Sequence, residues 1–135
     1  MQTIIPESEM YHLHILSEEF SVCKLKDYSK VDINRPFVFT GSTDEEKSLV
    51  CPSRLVPPDA TECSDGWRAF RIEGVLDFSL IGVLSRISSV LAENSIGIFA
   101  VSTFNTDYVF TRKEDFGKAL EALAAKGYTI EGGLM

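Results

Sequence analysis

The chain changes its apolar rhythm partway along. In its first part, apolar and polar positions come in short alternating runs. Tyr11, Leu13 and Ile15 interleave with His12, His14 and Leu16, the two-residue period of a strand with two unlike faces. Residues 11–17, 20–25, 37–40 and 48–51, rich in branched and aromatic side chains, predict four strands. Residues 41–47 would connect the last two, and residues 27–34 have room for a helical turn or two.

Further on the period lengthens. Residues 68–73 predict a strand with Phe70 and Ile72 on one face. Over residues 78–94, Leu80, Leu84, Ile87 and Leu91 form a helical stripe widened by Val83 and Val90. Asp77 or Ser79 can cap that helix. Residues 98–104 and 108–111 predict a hairpin turning through Asn105 and Thr106. Thr111 and Glu114 have capping-box spacing, with Phe116, Leu120 and Leu123 following at helical intervals. Gly127 ends the second helix, and residues 128–130 predict a last strand. The order β-α-β-β-α-β predicts an α+β, ferredoxin-like unit with both helices on one face of an antiparallel sheet. The proline-rich, polar stretch 57–66 reads as a linker, which places a strand-rich unit at residues 1–60 and the ferredoxin-like unit at residues 61–135.

Composition narrows the function. Twenty acidic against thirteen basic residues give a net charge of -7 and a pI near 4.8, with no basic run to neutralise phosphates. Nucleic acid and anionic membrane surfaces are excluded as partners. No apolar stretch approaches the ~20 residues that span a bilayer, and the first residues lack the basic and apolar regions of a signal peptide. Cys23, Cys51 and Cys63 are odd in number and widely spaced, which predicts three reduced structural thiols and a cytoplasmic protein.

The chemistry concentrates at one predicted sheet end. A helix start near Phe78–Gly82 offers unpaired amides and partial positive charge, suited to an anion. Asp107, beside the hairpin turn, is suited to a cation. Together they match the two ends of a free amino acid or similar small zwitterion. Each residue also has a purely structural reading: Asp77 as a cap, Gly82 as relief for close packing, Asp107 as a turn residue, Phe104 and Tyr108 as sheet packing, Trp67 as a core or interface aromatic. His12 and His14 share a strand face, but no third metal ligand is fixed nearby. No G-x-G-x-x-G or P-loop occurs, and neither a cofactor nor a metal is expected.

Several segments carry a family resemblance. Residues 67–130 resemble an ACT domain, the ferredoxin-like module that senses amino acids. Ser48-Leu-Val-Cys-Pro52, Gly66-Trp-Arg-Ala-Phe-Arg71, Asp77-Phe-Ser-Leu-Ile-Gly82 and Ser102-Thr-Phe-Asn-Thr-Asp-Tyr108 resemble short bacterial proteins with tandem ACT domains, related to the animal arginine sensors called CASTOR. The resemblance implies that residues 1–60 form a degenerate ACT-like unit and that a ligand lies in a cleft between two such units. Carried over by position, the backbone around Phe78, Leu80, Ile81 and Gly82, with Asp77, would take the ligand carboxylate. Thr103, Phe104 and Asp107 would line the other side, and Ser48 and Leu49 would face them from the first unit. Leu80 and Ile81 are apolar where the sensors carry acidic and small residues, which points away from arginine.

The expectation is therefore an amino-acid-binding regulatory protein, homodimeric through its sheet edges and the Trp67 region, acting on a regulated protein partner and catalysing nothing. Its alternative is a ligand-free protein–protein interaction module on the same fold. Acylphosphatases share the element order, but they need an arginine in the loop after the first strand. Here that loop is Gly74-Val-Leu-Asp77.

Overall fold

In a computed structural model of the chain, residues 11–74 and 82–132 are described. They fall into two compact units, one built from the described residues of 1–17 and 68–135 and the other from residues 18–67. The second is contiguous in sequence; the first is split around it. This division differs from the expected boundary near residue 60. The N-terminal strand belongs with the C-terminal part of the chain, and the boundary falls inside a strand.

The split unit holds β1 (Tyr11–Ile15), the Arg68–Gly74 part of β5 (Glu62–Gly74), α1 (Val83–Glu93), β6 (Ile98–Ser102), β7 (Asp107–Arg112), α2 (Lys113–Ala125) and β8 (Thr129–Gly132). Its strand order is β8-β1-β5-β7-β6. β1 runs antiparallel to β5, with Leu13 opposite Ile72, and parallel to β8, with Leu13 opposite Ile130. The β-α-β-β-α-β expectation is met, with an extra N-terminal strand inserted between the first and last strands of that pattern. Strand alternation explains why β1 fits there. Leu13 and Ile15 join Phe70, Ile72 and Val109 in the core, covered by Val83, Ile87 and Leu91 of α1 and by Phe116, Ala119 and Leu123 of α2. Each of the larger apolar side chains fully buried there contributes about 1.5–3 kcal/mol.

Both helices end in Schellman motifs. After α2, Gly127 takes φ 98°, its N–H bonds Ala124 O, and the Tyr128 N–H bonds Leu123 O. After α1 the same two bonds run from Ser95 to Ala92 and from Ile96 to Leu91, but the left-handed position is Ser95, at φ 60°. Ser95→Gly is therefore expected to stabilise the protein by up to about 1 kcal/mol by removing a Cβ from that conformation. A chemical-denaturation midpoint that falls would contradict this.

At the start of α2 the capping box does not form. Thr111 is a fully buried β7 residue, its hydroxyl donates to Arg112 O at 3.0 Å, and the helix opens at Lys113 with Arg112 in the cap position and Glu114 and Asp115 in the first turn. Burial of β7 outcompetes the local capping signal. Of the predicted helix over residues 78–94, the described portion is α1; Asp77 and Ser79, its expected caps, lie outside the described residues.

The contiguous unit contains β2 (Phe20–Leu25), β3 (Phe39–Ser42), β4 (Lys47–Pro52), a 3₁₀ turn (Ser53–Leu55) and the Glu62–Trp67 part of β5, in the order β3-β4-β2-β5. Residues 27–34 form turns, not helix. The linker expectation is corrected at its end. Glu62, Cys63 and Ser64 pair with Lys24, Cys23 and Val22, because backbone hydrogen bonding to β2 outweighs their polar, turn-prone composition. Thr61 bonds Lys24 O through its amide at 2.9 Å and its hydroxyl at 3.0 Å.

The same register corrects the cysteine expectation. Cys23 and Cys63 stand directly opposite, Cα–Cα 4.3 Å, and form a disulfide. Cys51 alone is free, and burial pushes its thiol up to about 11. With a pair formed, the cysteines no longer argue for a reducing compartment. Among the described residues no helix is long and apolar enough to cross a membrane.

Candidate functional site

The candidate site belongs to the split unit, at the sheet end where β5 finishes and the β6–β7 hairpin turns. The hairpin is tied to β5 by the Thr106 hydroxyl, which donates to Ile72 O at 2.5 Å. Inside the turn, Thr103 N–H bonds Thr106 O at 2.8 Å and the Thr103 hydroxyl donates to the same oxygen at 2.9 Å. The Ser102 hydroxyl donates to Asp107 Oδ1 at 2.5 Å. Asp107 thus serves its own hairpin through one oxygen, and that hydrogen bond fixes the direction of the carboxylate. Phe104, read as sheet packing, is 89% exposed at the tip.

The other element is the start of α1. Gly82 occupies its cap position at φ 86°, ψ 10°, with no side-chain cap, and the first turn contains no acid. Its carbonyl accepts the Arg86 N–H at 2.9 Å. A Cβ built on Gly82 would come within 2.9 Å of Arg86 Nη1 and 3.6 Å of Cζ. The Arg86 guanidinium therefore lies against the glycine, at the positive end of the helix. Glycine is needed here for the left-handed backbone; the guanidinium is the far end of a flexible side chain and would move aside for a Cβ. A cation in a first turn opposes the helix dipole by about 0.3–1 kcal/mol, and Arg86 adds its charge to that end of the helix.

Arg86 was missed by sequence reasoning. With the helix predicted to start at residue 78, Arg86 read as an interior position; its place in the first turn follows only from the observed start at Val83. Asp77, Phe78, Leu80 and Ile81 lie outside the described residues. Ser48 and Leu49 sit on β4 of the contiguous unit. Ser48 donates to Glu46 Oε1 at 2.8 Å, its carbonyl accepts the Tyr28 hydroxyl at 2.9 Å, and Leu49 is 1% exposed in that unit's small core. Leu49 is thus placed as a core residue.

On the face of the split unit away from the helices, Arg71 Nε donates to Glu73 Oε2 at 2.8 Å. Burial is the largest single effect on Arg71 and disfavours its charge, but Glu73 and the Tyr108 hydroxyl together outweigh it and hold the guanidinium further toward its charged form. His12 Nδ1 lies 3.3 Å from Glu131 Oε2. Among the described residues no three His, Cys, Asp or Glu side chains are grouped to hold a metal ion.

The sequence pattern of the ACT domain matches residues 62–125. A solved structure from Agobacterium tumefaciens is 30% identical to this chain with a TM-score of 0.82, covering 93% of this chain and 95% of its own. The aspartate kinase of Clostridium acetobutylicum, described as an allosteric enzyme, is 12% identical with a TM-score of 0.63 over 85% of this chain and 33% of its own. The ligand-free regulatory subunit of aspartate kinase from Thermus thermophilus is also 12% identical, with a TM-score of 0.60 over 84% of this chain and 95% of its own. At that identity the kinases share the fold alone. No curated protein matches the chain. The β-α-β-β-α-β core, the matched segment and the Agobacterium relative agree: the chain carries an ACT domain of the α+β, ferredoxin-like fold, and it belongs to the same family as the Agobacterium protein.

Proposed function

We propose that this is a ligand-binding regulatory protein of the ACT type that holds a free amino acid or similar small zwitterion where α1 begins, opposite the β6–β7 hairpin. The carrying observation is Gly82 with the Arg86 guanidinium against it. Left-handed glycine, helix amides and a cation make an anion-binding end, and Asp107 supplies a carboxylate in the same unit. Likeness in fold to the regulatory subunit of an aspartate kinase supports a regulatory role. Kinship with the CASTOR sensors and the absence of catalysis are part of the same reading.

The test is a thermal-shift panel of the free amino acids. A bound ligand at a hundredfold excess over its dissociation constant should stabilise the protein by about 2.7 kcal/mol. Asp107→Ala and Arg86→Gln should each abolish that response. Gly82→Val is a poor probe, because its left-handed backbone strains any side chain whatever binds. A response undiminished in both variants would place the ligand elsewhere.

The competing reading is an interaction module without a ligand. It is favoured by Phe104, exposed at the hairpin tip, and by Thr103 and Asp107, both already bonded within the turn. A flat panel would select it. Under either reading a homodimer is expected, since among the described residues β6 pairs only with β7 and ends the sheet as an edge. A monomer mass by light scattering at roughly tens of micromolar would argue against that.

A further inference from the structure

The contiguous unit contains a cavity of about 120 Å³ between the β2–β3 loop and β4. In a complete ferredoxin-like unit a helix would cover this sheet face. Here irregular chain does so, and it is pinned in place. The Tyr28 hydroxyl donates to Ser48 O at 2.9 Å, Asp27 Oδ1 accepts the Ser29 amide at 3.0 Å, and Asp32 Oδ1 accepts the Asn34 amide at 3.0 Å. The cover is ordered but does not fill the space beneath it.

The lining has two characters. Leu49 and Cys51, each 1% exposed, form an apolar floor with Val38 and Leu55. Because burial pushes the Cys51 thiol up to about 11, that floor is uncharged at neutral pH. Lys30 and Arg35 stand on the rim with Asp32. Both cations are exposed, and neither side chain forms a salt bridge or hydrogen bond among the described residues; the Arg35 amide bonds Asp32 O at 3.3 Å. Lys30 acts only at longer range, helping to hold Asp27 below the usual carboxylate range, an effect led by the hydrogen bonds from Ser29. Two cations against one carboxylate make a locally positive mouth in a chain of net charge -7. An apolar cavity of about 150 Å³ takes a six-carbon ring, so this one holds a somewhat smaller molecule.

We propose that this cavity is a second ligand site, for a small carboxylate with a short apolar tail, the tail on Leu49 and Cys51 and the carboxylate at Lys30 and Arg35. The site is separate from Gly82 and Asp107 and does not rest on the reading given to them. Asp32 adds a place for an ammonium, so the class includes both plain acids and short amino acids.

The full chain should be titrated with propionate and with L-alanine to roughly 20 mM, well above a dissociation constant near 1 mM, while methyl NMR follows Val31, Val38, Leu49 and Leu55. The expected result is a saturable shift at these methyls for at least one of the two probes. It should be weakened at least tenfold in Lys30→Gln/Arg35→Gln, which changes only exposed side chains. If L-alanine binds more tightly, Asp32→Asn should remove that preference; equal binding would assign the site to the carboxylate alone. Arg86→Gln should leave these shifts unchanged, which separates this site from the one at α1. No saturable shift with either probe, undiminished affinity in the double variant, or equal shifts with inorganic phosphate would overturn the proposal.

Discussion

Reducing the Cys23–Cys63 disulfide is expected to destabilise the contiguous unit by about 4 kcal/mol, the loop-closure value for a cross-link spanning 40 residues. That loop contains most of the unit, from β2 into β5. The unit's small core, Cys23, Leu25, Leu49 and Cys51 with partly buried neighbours, has little to offset the loss, because small cores rarely supply more than about 3–5 kcal/mol. Amides of β2 and β4 should therefore lose hydrogen-exchange protection in reductant, while α1 and α2 keep theirs. Cys63→Ser should reproduce the effect without reductant, since Cys63 is the exposed partner. Equal protection of β2 in the oxidised protein, the reduced protein and the variant would show that the cross-link contributes nothing.

Leu13→Ala is expected to cost about 2–5 kcal/mol, the range for emptying a well-packed leucine site. Leu13 is fully buried and lies opposite Ile72 on one side and Ile130 on the other. It is the side chain through which β1 joins β5 to β8. The truncation should also speed exchange at Ile130 and Glu131, which face Leu13 and His14 across the parallel pairing. A urea midpoint within about 0.5 kcal/mol of the parent, the size of an ordinary surface change, would mean that β1 is not part of that core.

Whatever had a local period was legible. The stripe of α1, the burial of Phe116 and Leu123, the stop at Gly127 and the bounds of β2 all follow from spacing that neighbouring residues reveal. What failed were choices between distant partners. Nothing near Tyr11–Ile15 shows that its neighbours are β5 and β8 and not the strands that follow it, since alternation specifies a face and not a partner. Glu62–Gly66 reads as a turn-rich linker until β2 is placed beside it, and the register that opposes Cys63 to Cys23 comes with that pairing. At the candidate site, Gly82 and Asp107 stood out by residue type. Arg86 did not, because a helix read from residue 78 puts it in the interior, and only the start at Val83 brings it into the first turn. The cavity was not legible, because its rim comes from a loop and its floor mostly from β4.

The inserted β1 has a consequence for the order in which the molecule is made. It leaves the ribosome first among the described strands, and β8 leaves last. At about 5–20 residues per second, roughly ten seconds pass between the two. Through that interval β1 carries Leu13 and Ile15 without the strand it will run parallel to, and Arg68–Gly74 is also late. The 18–67 segment, by contrast, can assemble as soon as its own last strand emerges. Synthesis therefore proceeds through a stage in which β1 has only β5 beside it, and the edge that β8 will cover is open. A nascent chain halted before residue 129 should retain that open edge of β1, where a chaperone or a second nascent chain can bind.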